Sequence, residues 1–208
     1  MKDIKQIILA SGSPRRREIL EGLGLTLRIL TPDADESSAE TDPATLVRQL
    51  SLRKWQAARD LLLSRGESLD GTLMIASDTV VACDGEILGK PRDRADAERM
   101  MRLLSGREHS VFSGIAVSCG EQVVADFDET RVRFSPISDE ALSWYLDNST
   151  YLDKAGAYAI QEDAAMFIRG MEGDFFNVVG LPVSRLCHLT ETCLGIPFYT
   201  LTSKGGQK

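Results

Sequence analysis

The sequence contains few of the residues that build metal sites of the cysteine and histidine type. Its 208 residues include four cysteines and two histidines, and no two cysteines form a Cys-X-X-Cys pair. Structural zinc sites depend on such pairs, so the pattern argues against a bound zinc ion. We expect the four cysteines to be reduced thiols that are partly buried.

Long apolar stretches and an excess of positive charge are also missing. No apolar run approaches the roughly 18 residues that a membrane span requires, and no signal-peptide pattern is found. The formal net charge is −7 and the pI is about 5.0. The chain therefore lacks the basic surplus that neutralises a nucleic-acid backbone. We expect a cytoplasmic protein that binds neither a membrane nor nucleic acid.

The remaining composition is typical of a folded globular domain, with 43% hydrophobic and 26% charged residues. There is no internal repeat, linker or low-complexity segment. Strand patterns interspersed with helix patterns predict a single α/β domain around a mixed sheet over residues 1–201. Residues 202–208 are expected to form a disordered tail.

The N-terminal segment predicts a strand, a tight loop and a helix. Residues 4–10 are mostly apolar and rich in isoleucine, as in a buried strand. Ser13 suits the N-cap position and Pro14 the first helical position, where its missing N–H costs nothing. Gly22 offers a place for the helix to end.

Three consecutive arginines, Arg15, Arg16 and Arg17, follow in the first turn of this helix. The positive end of the helix dipole disfavours cations there, so an anion is expected nearby. Helix N-terminal amides together with arginine form a phosphate site. Alternatively, the arginines extend into solvent and one of them pairs with Glu18 or Glu21.

The next segment is acidic and leads into a long helix. Asp35 and Glu36 lie in a polar loop, where they are either solvated or available to a divalent cation such as Mg²⁺ or Mn²⁺. A helix is predicted from Pro43 to about Ser64. Lys54 falls on its apolar stripe, so its side chain either extends to the edge of the core or reaches into a cleft as a phosphate-binding cation.

An aspartate interrupts the most apolar strand pattern, residues 73–83. A buried carboxylate needs a hydrogen bond, a cation or a metal ion. We favour a role for Asp78 as a general base, with Lys90 as its cationic neighbour across the hairpin predicted at residues 84–85. The alternative is a β-bulge in which Asp78 caps a neighbouring turn.

The second half of the chain continues the alternation of strands and helices. The patterns predict strands at 109–118 and 123–134, a helix from about residue 138, a strand ending at Gln161, a strand pair from residue 166, and a helix ending near residue 194. The amide of Gln161 carries an acceptor and donors, so it can read a ring carbonyl and a ring N–H together. Alternatively, local backbone groups satisfy this amide.

Six motifs in this order and spacing resemble one known family. They are Ser11-Gly12-Ser13-Pro14-Arg15-Arg16, Ser77-Asp78-Thr79, Gly89-Lys90-Pro91, Leu104-Ser105-Gly106 with His109, Asp-Lys-Ala-Gly-Ala-Tyr-Ala-Ile-Gln at 153–161, and Asn177-Val178-Val179-Gly180-Leu181-Pro182. Together they resemble the Maf family of nucleoside triphosphate pyrophosphatases, over about residues 4–194. The resemblance implies an elongated mixed sheet with flanking helices and two lobes around a cleft, similar to inosine triphosphate pyrophosphatases.

The resemblance also implies a reaction and the residues that perform it. A nucleoside triphosphate is hydrolysed between its α and β phosphates with the help of Mg²⁺ or Mn²⁺. Asp78 matches the proton acceptor of the family. The other matching positions are Arg15, Thr79 and Gln161 for substrate specificity, Ser13, Arg16, Lys54 and Lys90 for phosphate contact, and Glu36 with Asp78 for the metal.

The combination of Arg15, Thr79 and Gln161 is similar to the subfamily that acts on dTTP and UTP. Two alternatives are kept open. The same reaction could act on a modified purine nucleotide such as methylated GTP, or the protein could bind nucleotides as a cell-division regulator without turnover. The sequence also leaves open whether the chain forms a homodimer.

Overall fold

The computed structural model describes residues 3–202, and the tail predicted at residues 202–208 lies outside this part except for its first residue. The strands are β1 (Gln6–Ala10), β2 (Arg28–Leu30), β3 (Thr72–Cys83), β4 (Glu86–Leu88), β5 (Glu108–Cys119), β6 (Gln122–Phe134) and β7 (Ile168–Glu172). The α-helices are α1 (Pro14–Gly22), α2 (Pro43–Ser64), α3 (Arg94–Leu104), α4 (Asp139–Asn148), α5 (Phe175–Val179) and α6 (Val183–Thr192). Short 3₁₀ turns occupy Ala155–Ala157, Asp163–Phe167 and Phe198–Leu201.

Seven strands form one mixed sheet in the order β2-β1-β3-β5-β6-β7, with β4 paired to β3. Strand β1 runs parallel to β2 and β3. The pairs β3–β5, β5–β6 and β6–β7 are antiparallel. The prediction of a mixed α/β sheet with flanking helices is confirmed.

One face of β3 is covered along its length by α2. Met74 shares an apolar cluster with Trp55 of the helix, and Val80 shares another with Leu50. Because side chains alternate between the faces of a strand, Asp78 lies on this same face, between the two clusters. The sheet therefore presents its mid-strand carboxylate to α2.

The other face of β3 carries an apolar core at each end. Leu73 and Ile75 near the strand start pack with α1 and α6, whereas Val81 and Cys83 near its end pack with α3 and α4. The polar residues 77–79 separate the two cores. Polar side chains do not join an apolar core unless they are hydrogen-bonded, so the molecule divides here into two lobes.

The helix boundaries agree with the predicted starts and stops. Helix α1 begins at Pro14 and ends at Gly22, and α2 runs from Pro43 to Ser64. The Asp42 carboxylate accepts a hydrogen bond from the Thr45 amide and so caps α2. The apolar residues that follow α1 form a strand only over Arg28–Leu30.

Strand β3 passes through Asp78 without a bulge. Asp78 pairs with Gly114 of β5 in an unbroken register that extends from Leu73 to Ala82. The alternative in which a bulge turns Asp78 towards a neighbouring turn is therefore wrong. Asp78 is accommodated in the regular strand because it has a charged partner on α2.

Two predicted strands are absent from the described residues. Gln161 does not end a strand but lies in a turn, after a 3₁₀ turn at Ala155–Ala157. Both Gly156 and Ala157 have positive φ, at 67° and 62°, which breaks an extended path despite the apolar side chains. The strand pair predicted from residue 166 is the single strand β7, which pairs with β6 and is followed by α5.

Among residues 3–202, none of the helices combines the length and the apolar character that crossing a bilayer requires.

Candidate active site

A cleft of about 630 Å³ opens between the two lobes. It is lined by the β1–α1 loop, the middle of β3, the end of the β3–β4 hairpin and the segment that follows α4. Every side chain to which the family resemblance gives a role lines this cleft: Ser13, Arg15, Arg16, Glu36, Lys54, Asp78, Thr79, Lys90 and Gln161. Asp35, the other candidate in the acidic loop, does not line it and accepts hydrogen bonds from Ser37 instead.

The start of α1 sends its three arginines in different directions. Ser13 occupies the N-cap position and Pro14 the first turn, but the Ser13 hydroxyl makes no capping hydrogen bond. Arg15 forms an ion pair with Asp153 at 2.9 Å. The exposed Arg17 pairs with Glu21 at 2.8 Å, so the solvent alternative holds for this arginine.

Arg16 points inward and is almost completely buried. Its Nε donates to the Gly180 carbonyl at 2.7 Å, Nη1 donates to Ser11 Oγ at 3.1 Å, and Nη2 donates to Thr79 Oγ1 at 3.1 Å. Burial lowers the pKa of the Arg16 guanidinium, while the negative charge of Asp78 opposes that shift. Three of its five N–H groups are thus engaged by protein, and the group is held in one orientation.

The Gly180 carbonyl joins Arg16 to the middle of β3. It also accepts a hydrogen bond from Ser77 Oγ at 3.0 Å. Gly180 follows α5 with a φ of 121°, a value that suits glycine. The short helix α5 therefore aims a carbonyl at the arginine that enters from α1.

The Thr79 hydroxyl is engaged by protein groups. It lies 2.8 Å from Ser113 Oγ, and Ser113 in turn donates to the Asn177 carbonyl at 2.8 Å. Since Ser113 has one proton to donate, Thr79 donates to Ser113 and accepts from Arg16. The hydroxyl predicted to read a base is thus used to hold Arg16.

Two carboxylates and one ammonium meet at the floor of the cleft. Lys54 of α2 forms an ion pair with Asp78 and a second one with Glu36 at 2.8 Å. The side chains of Lys54 and Asp78 are only 15% and 11% exposed. Partial burial raises the pKa of the Glu36 carboxyl, but Lys54, Lys90 and Arg16 together hold that pKa below its ordinary value.

The predicted pairing of Asp78 with Lys90 is wrong. Asp78 faces α2, whereas Lys90 lies at the exposed end of the hairpin and has no hydrogen bond or ion pair within residues 3–202. The partner is Lys54, whose side chain reaches into the cleft. Of the two alternatives for Lys54, the structure shows the side chain in the cleft, and its contact with phosphate stays a prediction.

A glycine lets α2 approach the sheet beside this ion pair. Gly114 lies next to Asp78 in the β3–β5 register. A Cβ atom added at Gly114 would lie 2.0 Å from the Val47 carbonyl oxygen of α2, a distance that no real side chain tolerates. The close approach brings Lys54, two turns further along α2, within reach of the carboxylate.

Gln161 lies exposed in its turn at the rim of the cleft. Over the described part of the chain, its side-chain amide has no hydrogen-bond partner, so the alternative in which local backbone satisfies the amide is not observed. Its donors and acceptor are available to a ligand in the cleft.

The floor of the cleft fits a divalent cation that is shared with a phosphate ligand. Glu36 and Asp78 already converge on one cationic group, the Lys54 ammonium. No group of three or more acidic, histidine or cysteine side chains suited to a metal occurs in residues 3–202. Mg²⁺ is commonly held by one or two carboxylates, with phosphate oxygens and water completing the shell. Two carboxylates therefore suffice.

Several residues of the site carried no assignment at the sequence level. Ser11, Ser77 and Gly180 lay within the quoted motifs, but their contacts to Arg16 depend on long-range packing that a linear pattern does not reveal. Lys154 is the least expected, because a lysine in a polar loop is usually exposed. In the sequence, only the nearby Gly156 and Tyr158 indicated that the chain around Lys154 is closely packed.

One family model and several known proteins are similar to this chain. The family model described as Maf-like protein matches residues 6–193. A protein of Symbiobacterium thermophilum named dTTP/UTP pyrophosphatase is 43% identical over 198 residues, which cover 95% of this chain and 98% of that protein. A protein of the same name from Caldanaerobacter subterraneus subsp. tengcongensis is 43% identical over 92% of this chain and 90% of its own.

A third relative of that name, from Bacillus cytotoxicus, is 38% identical over 88% of this chain and 93% of its own. Among solved structures, that of a HAM1 protein from Coxiella burnetii matches with a TM-score of 0.41 and 15% identity. This match covers 62% of this chain and 72% of that one.

Proposed function

The chain belongs to the Maf family, and on that premise we propose that it is a dTTP/UTP pyrophosphatase. The reaction hydrolyses the bond between the α and β phosphates and releases a nucleoside monophosphate and pyrophosphate. The names of the relatives support the choice of nucleotides. The chemistry is supported by the residues of the cleft.

The observation that carries the proposal is the concentration of positive charge around a carboxylate pair. The chain as a whole is acidic, at −7, yet Arg15, Arg16, Lys54 and Lys90 all line one cleft. A triphosphate carries several negative charges, and its hydrolysis depends on neutralising them in a fixed geometry. Such a cluster is expected for a polyphosphate ligand.

Asp78 is the group best placed to accept the proton of the attacking water. Its carboxylate is nearly buried at the cleft floor and is paired with Lys54. The water attacks one phosphorus in line with the leaving group while Asp78 takes its proton. The Lys54 ammonium holds the carboxylate in place and offsets the charge that develops on the phosphoryl oxygens.

Glu36 and Asp78 would hold the divalent cation, which neutralises phosphate charge and polarises water when bound. Arg16 supplies a fixed guanidinium, since three protein acceptors hold its orientation before any ligand arrives. Lys90 supplies a flexible charge at the cleft edge. A fixed and a mobile cation together would bind the triphosphate at two positions.

Gln161 would select the base. Thymine and uracil present a ring carbonyl beside a ring N–H, and a carboxamide pairs with both. A base without that pattern would leave the Gln161 amide unpaired, which lowers its transition-state affinity. Arg15 of α1 forms an ion pair with Asp153, which joins α1 to the segment that carries Gln161.

A nucleotide panel at one fixed concentration tests the proposal. Purified protein is incubated with Mg²⁺ or Mn²⁺ and each of dTTP, UTP, dCTP, CTP, dGTP, GTP, dATP, ATP and a methylated GTP, and released pyrophosphate is measured. We expect dTTP and UTP to be cleaved fastest. Preference for an adenine or cytosine nucleotide would contradict the role of Gln161. Preference for a guanine nucleotide, whose ring also presents a carbonyl beside an N–H, would contradict the choice of dTTP and UTP. Binding without release from any nucleotide would contradict the enzyme.

A further inference from the structure

Lys154 carries a buried positive charge whose role is not explained by the catalytic residues. Its side chain is 3% exposed. Burying an ammonium is costly unless it is paired and hydrogen-bonded. Lys154 also lies in the wall of the cleft. An exposed lysine at this place could bind phosphate, so the burial of Lys154 needs another explanation.

The partners of the Lys154 ammonium come from both ends of one segment, residues 150–162. Nζ donates to the Thr150 carbonyl at 2.8 Å and to Thr150 Oγ1 at 2.9 Å. It lies 3.0 Å from Asp153 Oδ1 and 3.1 Å from Glu162 Oε2. An ammonium has three N–H donors, and these four acceptors use all of them.

The segment that Lys154 closes contains no paired strand and only one short 3₁₀ turn, so side chains must fix its path. Among the bonds that hold its middle are two between its backbone and other parts of the fold. The Tyr145 hydroxyl donates to the Ala157 carbonyl at 2.9 Å, and the Gly156 amide donates to the Gly89 carbonyl at 3.0 Å. Lys154 supplies the ion pairs that hold the two ends together.

The same ammonium connects the two sides of the cleft. Asp153 bridges Lys154 through Oδ1 and Arg15 through Oδ2, at 3.0 and 2.9 Å. Burial raises the pKa of the Asp153 carboxyl, but the hydrogen bonds from Lys154 and Arg15 hold that pKa below its ordinary value. Glu162, the other ion-pair partner, directly follows Gln161. A continuous chain of charges thus runs from Arg15 to the neighbour of Gln161.

We propose that Lys154 is a positioning residue for nucleotide selection, which acts by holding Asp153 and Glu162 so that Arg15 and Gln161 face the bound nucleotide together. The inference rests on the proposed function for the identity of the nucleotide. Lys154 does not itself touch the substrate, because its donors are filled by protein groups and its side chain is buried. Removing the Lys154 charge would therefore alter the selection and binding of the nucleotide more than the rate of hydrolysis.

The test uses Lys154→Met, which keeps the length of the side chain and removes the charge. Lys5→Met is the matched control, because Lys5 is exposed at the start of β1 and does not line the cleft. We expect KM for dTTP to rise about tenfold with kcat changed less than about threefold, since a misplaced binding group weakens binding before it slows chemistry. The preference for dTTP over dCTP, measured as the ratio of kcat/KM values, falls in parallel. Lys154→Arg restores part of both.

Hydrogen exchange of the nucleotide-free protein supplies a second readout. We expect the amides of residues 150–162 to exchange faster in Lys154→Met than in the wild type or in Lys5→Met. Should Lys154→Met fail to fold, Glu162→Gln takes its place, with the same direction of change expected in KM and exchange.

The outcomes separate the inference from the proposed function. Faster exchange with unchanged KM and selectivity would make Lys154 a structural residue only and would overturn the inference. A raised KM without any change in exchange would also overturn it, because the effect would then be direct. An inactive wild-type protein would contradict the proposed function, whereas the exchange measurement needs no nucleotide and still tests whether Lys154 holds the segment.

Discussion

Lys54 of helix α2 and Asp78 of strand β3 form an ion pair at the floor of the cleft, with side chains that are 15% and 11% exposed. The pair joins the two elements that form one wall of the site. Glu36 contacts the same ammonium at 2.8 Å, so a single cation neutralises both carboxylates. The proposed base, Asp78, and the second proposed metal ligand, Glu36, therefore both contact the Lys54 ammonium.

Replacing Lys54 with Met is expected to change metal affinity in the absence of nucleotide. The Lys54 ammonium competes with a divalent cation for Glu36 and Asp78, and unit charges 4 Å apart near a protein surface repel by about 4 kcal/mol. We expect Mn²⁺ to bind Lys54→Met about tenfold more tightly than the wild type, measured from the paramagnetic resonance of free Mn²⁺. Lys5→Met should bind Mn²⁺ as the wild type does. Equal or weaker binding by Lys54→Met would show that the ammonium does not share the cation site.

The three hydrogen bonds of Arg16 predict that lysine cannot replace it. A lysine ammonium cannot reach acceptors spread around a planar guanidinium. Arg16→Lys should lower the free energy of unfolding by about 2 kcal/mol, because buried acceptors lose their donors, and reduce kcat/KM about 100-fold. Urea unfolding and steady-state kinetics measure the two effects. In the exposed control Arg17→Lys, the unfolding free energy should change by less than about 0.5 kcal/mol; equal effects at both positions would refute the assignment.

Gly114→Ala tests the close approach of α2 to the sheet. The added Cβ would lie 2.0 Å from the Val47 carbonyl oxygen, so the helix must move away from β5. We expect a loss of about 3 kcal/mol in unfolding free energy, together with reduced activity, since Lys54 moves with the helix. Gly22→Ala, where no atom lies within 4 Å, is the control and should change stability by less than about 1 kcal/mol. A wild-type urea midpoint for Gly114→Ala would contradict the packing.

His109 makes the free energy of unfolding depend on pH. Its ring is buried, with Nε2 2.8 Å from the Tyr158 hydroxyl, and burial lowers its pKa from 6.5 to about 4. Because the unfolded chain binds the proton more readily, His109 favours the native state above pH 6.5, and this contribution is lost as the pH falls towards 4. The difference corresponds to about 3 kcal/mol.

Unfolding free energies of the wild type and His109→Gln at pH 4 to 7 check this prediction. The wild type should lose more stability than the variant on acidification. His188→Gln, which changes the exposed histidine of α6, should retain the wild-type pH dependence. Parallel curves for the wild type and His109→Gln would contradict the burial effect.

Local sequence signals predicted α1 and α2 well because each had a chemical start, whereas α5 lies where the second strand of a pair was expected. Asp42 before Pro43 defined the start of α2, and the Asp78 anomaly in an apolar strand marked the site. The prediction for residues 151–161 was wrong because their apolar side chains suggested a strand. Positive φ at Gly156 and Ala157 is set by packing against Val81 and Gly89, which lie far away in sequence.

The partner of Asp78 could not be read from the sequence either. Lys90 lies close to Asp78 along the chain, whereas Lys54 becomes its neighbour only when α2 packs on Gly114 and the strand directs Asp78 to that face. Similarly, the directions of the Arg15 and Arg16 side chains depend on their distant acceptors Asp153 and Gly180. Contacts between segments that are remote in sequence therefore determine the partners of these charged side chains.

The most direct measurement compares pyrophosphate release from dTTP by the wild type and Asp78→Asn, at saturating Mg²⁺ or Mn²⁺. The asparagine keeps the shape of the side chain and cannot accept the proton of the attacking water. We expect the wild type to turn over dTTP and Asp78→Asn to lose activity by about 10²–10⁴-fold, with the variant still folded in a thermal melt. Equal activity of the two proteins would remove Asp78 from the mechanism and contradict the assignment of this cleft as the active site.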